Sequence, residues 1–140
     1  MTFVNESGCL NVASTVLIDT DILIDAGRGV AEAVDSLRQH ELQTSLAISV
    51  ISQLELFVGC QNKREFRQVE KFLERFEIVD LDTQASSIAV DLLKRYRLSH
   101  GLLIPDALIA ATALAQGLPL LTKNQRDYRF INGLILLPYP

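Results

Sequence analysis

The amino-acid sequence predicts an α/β domain, a three-layer α/β/α sandwich with a central, mostly parallel sheet. Three observations carry this expectation. Short apolar runs rich in branched side chains recur along the chain, Val16-Leu17-Ile18 being the first, as they do in strands buried on both faces. These runs alternate with segments of helical period, and strands joined by helical crossovers return parallel to one another. Finally, the 140 residues are 49% hydrophobic and 21% charged, which is ordinary globular usage for a single domain. No repeat, low-complexity tract or Pro/Gly-rich linker marks an internal boundary. Residues 1–14 are expected to form an N-terminal extension and residues 15–140 the domain.

The elements follow in order. After the first strand, a helix is expected over residues 29–41 and a strand over 46–50. A further helix is expected from Ser52 to about Gly59. Residues 63–76 are the clearest helix, because Phe66, Val69, Phe72, Leu73 and Phe76 recur on one face. A strand over 77–81 leads to Asp82, a natural N-cap for a helix to about Arg97 that buries Ala85, Ile88, Ala89, Leu92 and Tyr96. Pro105 suits a first helical position, and Gly117 with Pro119 ends the helix that follows. Leu120-Leu121-Thr122 and residues 134–137 supply the last two strands.

Composition removes several classes of function. Cys9 and Cys60 are too few and too far apart for a disulfide framework, so two reduced thiols are expected. The first fifteen residues lack a basic start and a continuous apolar core, and no apolar run reaches bilayer-spanning length. A soluble, cytoplasmic protein with no membrane partner is expected. His40 and His100, the two histidines, have no H-E-x-x-H and no cysteine partner, which argues against zinc. Neither a G-x-S-x-G, a Walker A nor a G-x-G-x-x-G motif is present. The net charge of −4 means that bulk charge would not draw the chain to phosphates.

In parallel sheets ligands bind beyond the carboxyl ends of the strands, so the acids there are the candidates for chemistry. Asp19 and Asp21 directly follow the first strand, where a turn or cap role competes with a chemical one. Glu55 lies three residues after Ser52, a spacing that fits a capping box. Asp106 opens a helix that is almost wholly apolar from Ala107 to Ala115, as a central buried helix would be. Thr122, Lys123, Asn124, Arg126 and Asp127 leave a late strand and offer a hydroxyl, two cations, an amide and a carboxylate. Acids from separate strand ends repel one another unless a cation lies between them. Hard cations such as Mg2+ or Mn2+ take oxygen ligands and activate water for attack on a phosphodiester.

With these four clusters in order, the chain resembles the PIN-domain family, and within it the VapC-like toxins of type II toxin–antitoxin pairs. The matching segments are Leu17-Ile18-Asp19-Thr20-Asp21, then Ile51-Ser52-Gln53-Leu54-Glu55-Leu56 with Gly59. Pro105-Asp106-Ala107-Leu108-Ile109-Ala110-Ala111-Thr112-Ala113 and Leu121-Thr122-Lys123-Asn124 with Asp127-Tyr128 complete the set. The resemblance implies a Mg2+- or Mn2+-dependent endoribonuclease acting on RNA, a homodimer, and a cognate antitoxin that blocks the site. It also implies that Asp19, Glu55 and Asp106 are metal-holding acids, with Asp127 as the fourth carboxylate. Asn124 is then a polar ligand or substrate contact, and Thr122, Lys123, Arg126 and Asp21 are supporting residues.

Two other readings stay open on sequence. A haloacid-dehalogenase-like phosphatase also places D-x-D after its first strand, with Asp19 as nucleophile. A non-catalytic phospho-acceptor signalling domain would place its acceptor after the third strand, near Asp80 and Asp82. A PIN-like domain that only binds a partner is a third.

Overall fold

The computed structural model describes residues 14–140, so the extension expected over residues 1–14 lies, but for its last residue, outside the described residues. The strand β1 (Ser14–Ile18) is central, and β2 (Thr44–Ser49), β3 (Glu77–Val79), β4 (Leu120–Leu121) and β5 (Leu136–Leu137) complete a five-stranded sheet ordered β3-β2-β1-β4-β5. Each neighbouring pair is parallel. The chain therefore builds outward from β1 in one direction and, after β3, resumes on its other side. The reversal lies between β1 and β4, and a crevice opens there at the carboxyl edge.

Alternation along the strands sorts the core into two halves. Leu17, Ala47 and Leu120 point to one face, where α5 (Thr83–His100) and α6 (Ile104–Gln116) cover them. Val16, Ile18, Leu46, Ile48 and Leu121 point to the other, against Ile22 and Leu23 of α1 (Thr20–Gly27) and Ala33 and Leu37 of α2 (Ala31–Glu41). That second half is closed by Leu73 of α4 (Lys63–Leu73) and by Phe76. Leu17 and Ile18 are fully buried, so each contributes about 1.5–3 kcal/mol of apolar transfer energy. These two half-cores are the three layers that the alternation of elements predicted.

Several boundaries differ from the sequence reading by a few residues, and one helix was not expected. The helix α1 begins directly after β1, on eight residues whose apolar positions are too few to show a helical period. The helix α3 (Val50–Val58) starts earlier than Ser52 because the Ser49 hydroxyl accepts from the Ile51 amide at 3.0 Å and caps it. The third strand stops at Val79, and Asp82 caps α5 through the Ala85 amide at 2.8 Å, as expected.

The helix α6 is the buried one. Its Ala107, Ala110, Ala111 and Ala113 are fully buried, and small side chains let its backbone approach α5 and the sheet closely. It ends on Gly117, whose φ of 66° is left-handed. A Cβ added there meets no atom within 4 Å, so Gly117→Ala isolates the backbone cost. A loss of about 1 kcal/mol in urea or thermal unfolding is expected. An unchanged midpoint would show that the helix end relaxes.

Candidate active site

Asp19 is the first residue beyond the central strand and the N-cap of α1. Its amide donates to the Leu121 carbonyl at 2.9 Å, which pins it against the end of β4 at the point where the sheet order reverses. The carboxylate is 4% exposed. Oδ2 accepts from the Thr122 hydroxyl at 2.7 Å, and Oδ1 accepts from the Thr20 amide at 2.9 Å. The Tyr128 hydroxyl also lies 3.1 Å from Oδ1. Burial raises the pKa of Asp19, and the three hydrogen bonds oppose that rise while the charge of Asp21 adds to it. Cap and chemistry, which competed in the sequence, are therefore both present in one side chain.

The same Tyr128 hydroxyl lies 3.1 Å from Oδ1 of Asp106, in the first turn of α6. The two carboxylate oxygens are thus no farther apart than twice that contact, although the two residues lie 87 positions apart in the chain. A phenol has one proton, so Tyr128 donates to one carboxylate at a time. Burial, followed by the two flanking charges, drives its own pKa far upward, so it stays a phenol. The Asp106 carboxyl is pushed up to about 6. Burial is the main cause, the Tyr128 hydrogen bond opposes it, and the charges of Asp19, Asp127 and Glu55 raise it further. The four expected acids accordingly share one electrostatic field.

Glu55 is not a capping residue. Ser49 occupies the cap, and Glu55 sits a turn farther along α3. Its Oε1 accepts from the Thr20 hydroxyl at 2.7 Å, and Thr20 lies 2.8 Å from the Ser52 hydroxyl. Because Thr20 gives its proton to Glu55, Ser52 must donate to Thr20. The Ser52–Glu55 spacing thus marks a shared helix face turned toward α1, not a box. Asp127 is exposed in a 3-10 turn (Gln125–Asp127). The Asn124 amide group donates to Asp21, and its backbone N–H donates to the Thr122 hydroxyl at 3.0 Å. Lys123 pairs with Asp25 at 2.6 Å, a contact that raises its pKa. Among the described residues, Arg126 enters no ion pair.

Sequence reading assigned no role to Thr20 or Tyr128, and took Ser52 only as a helix cap. Each lay inside a quoted segment, but hydroxyl donors carry no spacing signal until the carboxylates they serve are brought near. Among the described residues, no three His, Cys, Asp or Glu side chains converge on a ready-made metal position. The acids instead lean on neutral hydroxyl donors. The donor set is nonetheless entirely oxygen, which fits a hard divalent cation, and such ions need only one or two direct carboxylates.

Two depressions flank these residues. One of about 330 Å³ has Asp106, Arg126 and Asp127 in its wall. A larger groove of about 830 Å³, bounded by Val90, Leu93, Leu103 and Ile104, contains no acid and is apart from the chemistry. The phospho-acceptor reading fails on topology. It needs β3 inside the sheet, as in the flavodoxin-like order, whereas β3 lies at the edge and Asp82 is spent as a cap. The phosphatase reading is not favoured either, since that chemistry calls for a further acidic pair after a late strand and residues 124–127 supply one acid, Asp127.

The chain matches the family model of the PIN domain over residues 16–132. Ribonuclease VapC10 of Mycobacterium tuberculosis is 40% identical over 110 residues, covering 78% of this chain and 82% of that protein. Among solved structures, the VapBC2 complex of Rickettsia felis, bound to a DNA fragment from its promoter, superposes with a TM-score of 0.77 and 26% identity, covering 90% of this chain and 99% of that one. A toxin–antitoxin complex from Klebsiella pneumoniae superposes with a TM-score of 0.71 and 33% identity, covering 86% of this chain and 95% of that one.

Proposed function

Since the chain belongs to the PIN-domain family, we propose that it is a metal-dependent endoribonuclease, the toxin of a toxin–antitoxin pair. One observation carries the reading. Asp19 and Asp106, distant in sequence, share the Tyr128 hydroxyl at the carboxyl-edge reversal of the sheet. Their similarity to a ribonuclease over most of both chains supplies the substrate class.

Asp19 and Asp106 would hold the cation, Mg2+ or Mn2+, with Glu55 and Asp127 completing its surroundings directly or through water. When bound, such an ion lowers the pKa of a coordinated water and neutralises charge on the phosphodiester. The protein's own residues set the stage for it. Thr122 and the Thr20 amide fix the Asp19 carboxylate, and Tyr128 keeps Asp106 aligned with it. Ser52 and Thr20 aim Glu55 at the same crevice. Asn124, held by Asp21, and the exposed Arg126 would meet RNA, while Lys123 ties the loop after β4 to α1 through Asp25.

The proposed partners are an antitoxin protein, as in the toxin–antitoxin and VapBC complexes, and a second copy of the chain as a homodimer. Among the described residues no helix is long and apolar enough to cross a membrane. The proposed site of action is the cytoplasm.

The purified protein is expected to cleave single-stranded RNA when Mg2+ or Mn2+ is supplied and to stop when the cation is removed. Gel analysis of a labelled RNA, with and without excess chelator, checks this. Undiminished cleavage in chelator would overturn the metal-dependent mechanism.

A further inference from the structure

The 330 Å³ cleft has a second wall that the acids do not explain. His100, the last residue of α5, and Phe130 line it together with Asp106 and Asp127. Their rings are stacked, with centroids 4.1 Å apart and planes 10° from parallel. Tyr96 meets both rings edge-on, at 5.9 Å from His100 and 5.2 Å from Phe130. It is itself tied down, because its hydroxyl accepts from the Asn132 amide at 3.2 Å. The left-handed turn at Gly101, with φ of 70°, ends α5 directly after His100. His100 is exposed even though its ring stacks on Phe130. Of the residues lining the cleft, Arg126 is the single Lys or Arg.

We propose that this cleft is a nucleotide subsite in which His100, backed by Phe130, stacks the base of an unpaired ribonucleotide and Arg126 takes its phosphate. The proposal rests on the ribonuclease reading for its place beside the scissile bond, but its geometry stands by itself. A flat aromatic face, a guanidinium and a cleft at the small end of the ligand-pocket range match a single nucleotide. A duplex would not enter, because its bases present no free faces. Stacking is also the contact this chain needs, since a net charge of −4 provides no general attraction for phosphates. The platform is ordered in advance by Tyr96, so binding costs little further side-chain entropy.

The experiment is NMR of the imidazole rings in the whole chain. His40, in α2, is the only other histidine and serves as the internal control. Adenosine 5′-monophosphate is expected to move the His100 ring protons upfield by ring current and to leave those of His40 in place. Inorganic phosphate should not reproduce the upfield move. In parallel, His100→Ala is expected to raise KM for a short oligoribonucleotide on the order of 10-fold, with the loss falling on KM and not kcat. His100→Trp, which keeps a stacking face, should recover the native KM. A chain that cleaves RNA while His100 ignores a large excess of the mononucleotide overturns the subsite and spares the ribonuclease reading. A chain inert toward RNA whose His100 still shifts with the mononucleotide supports the subsite and overturns that reading.

Discussion

The Asp19→Asn protein is expected to fold and to lose RNA cleavage by about 100-fold or more. The loss follows from the role proposed for this carboxylate. A ligand that fixes a catalytic cation contributes several kcal/mol of charge stabilisation, and each 1.36 kcal/mol is a factor of ten in rate. Folding survives because the substitution preserves shape. The remaining oxygen can keep the Thr20 amide and Tyr128, while the new amide group donates to the Thr122 hydroxyl. That hydroxyl already accepts from the Asn124 backbone and has a second lone pair to offer. The rearrangement costs about 1 kcal/mol, and removing a buried charge beside Asp106 offsets part of it. Cleavage rate at saturating metal and a thermal melt, measured on one preparation, separate the two effects. Full activity in a folded Asp19→Asn protein would remove Asp19 from the mechanism.

A pH-dependent stabilisation by divalent cation is the second large effect expected. The Asp106 carboxyl has an ordinary value of 3.8 and is raised to about 6 in the fold. Between those values the native state holds a proton that the unfolded chain has released. Stability therefore falls as pH rises through that interval, because the unfolded state binds fewer protons there. Its contribution is fully present below 3.8 and is lost above about 6. Asp19, also raised by burial, acts in the same direction. Mg2+ favours the ionised carboxylates, so it should raise the melting temperature strongly above pH 6 and weakly near the lower value, releasing protons as it binds. Asp106→Asn should show a flatter pH profile than the native chain and little response to Mg2+. Melting temperatures of both proteins across pH, with and without Mg2+, give the difference that isolates Asp106. A Mg2+ shift independent of pH, or equal in Asp106→Asn, would show that the ion binds elsewhere.

Much of the fold was legible in one dimension. The apolar runs at Val16-Leu17-Ile18 and Leu120-Leu121 announced strands buried on both faces, and the unbroken apolar stretch behind Asp106 announced a helix inside the molecule. Those signals are local and periodic, so a single chain displays them. The helix at Thr20–Gly27 was not legible, because eight residues directly after a strand offer too few turns to establish a period. The capping-box reading of Glu55 failed as well. The reading began the helix at Ser52, whereas the hydroxyl that accepts from its first turn belongs to Ser49, three residues earlier.

Asp19 and Asp127 were candidates because they follow strands and Asp106 because it opens a helix, and strand ends are where an α/β sheet places its chemistry; Glu55 came in through the segment it shares with the family. The sequence by itself named Asp19, Glu55, Asp106 and Asp127 as candidates. The tertiary structure alone decided how they are held. Tyr128 serves Asp19 and Asp106 together, Thr20 serves Glu55, and His100 lies flat on Phe130 beside Arg126. Each of these contacts joins elements from distant parts of the chain. Hydrogen bonds and stacked rings depend on direction and on distances of a few ångströms, and a sequence carries no such information until the sheet order has brought its strand ends together.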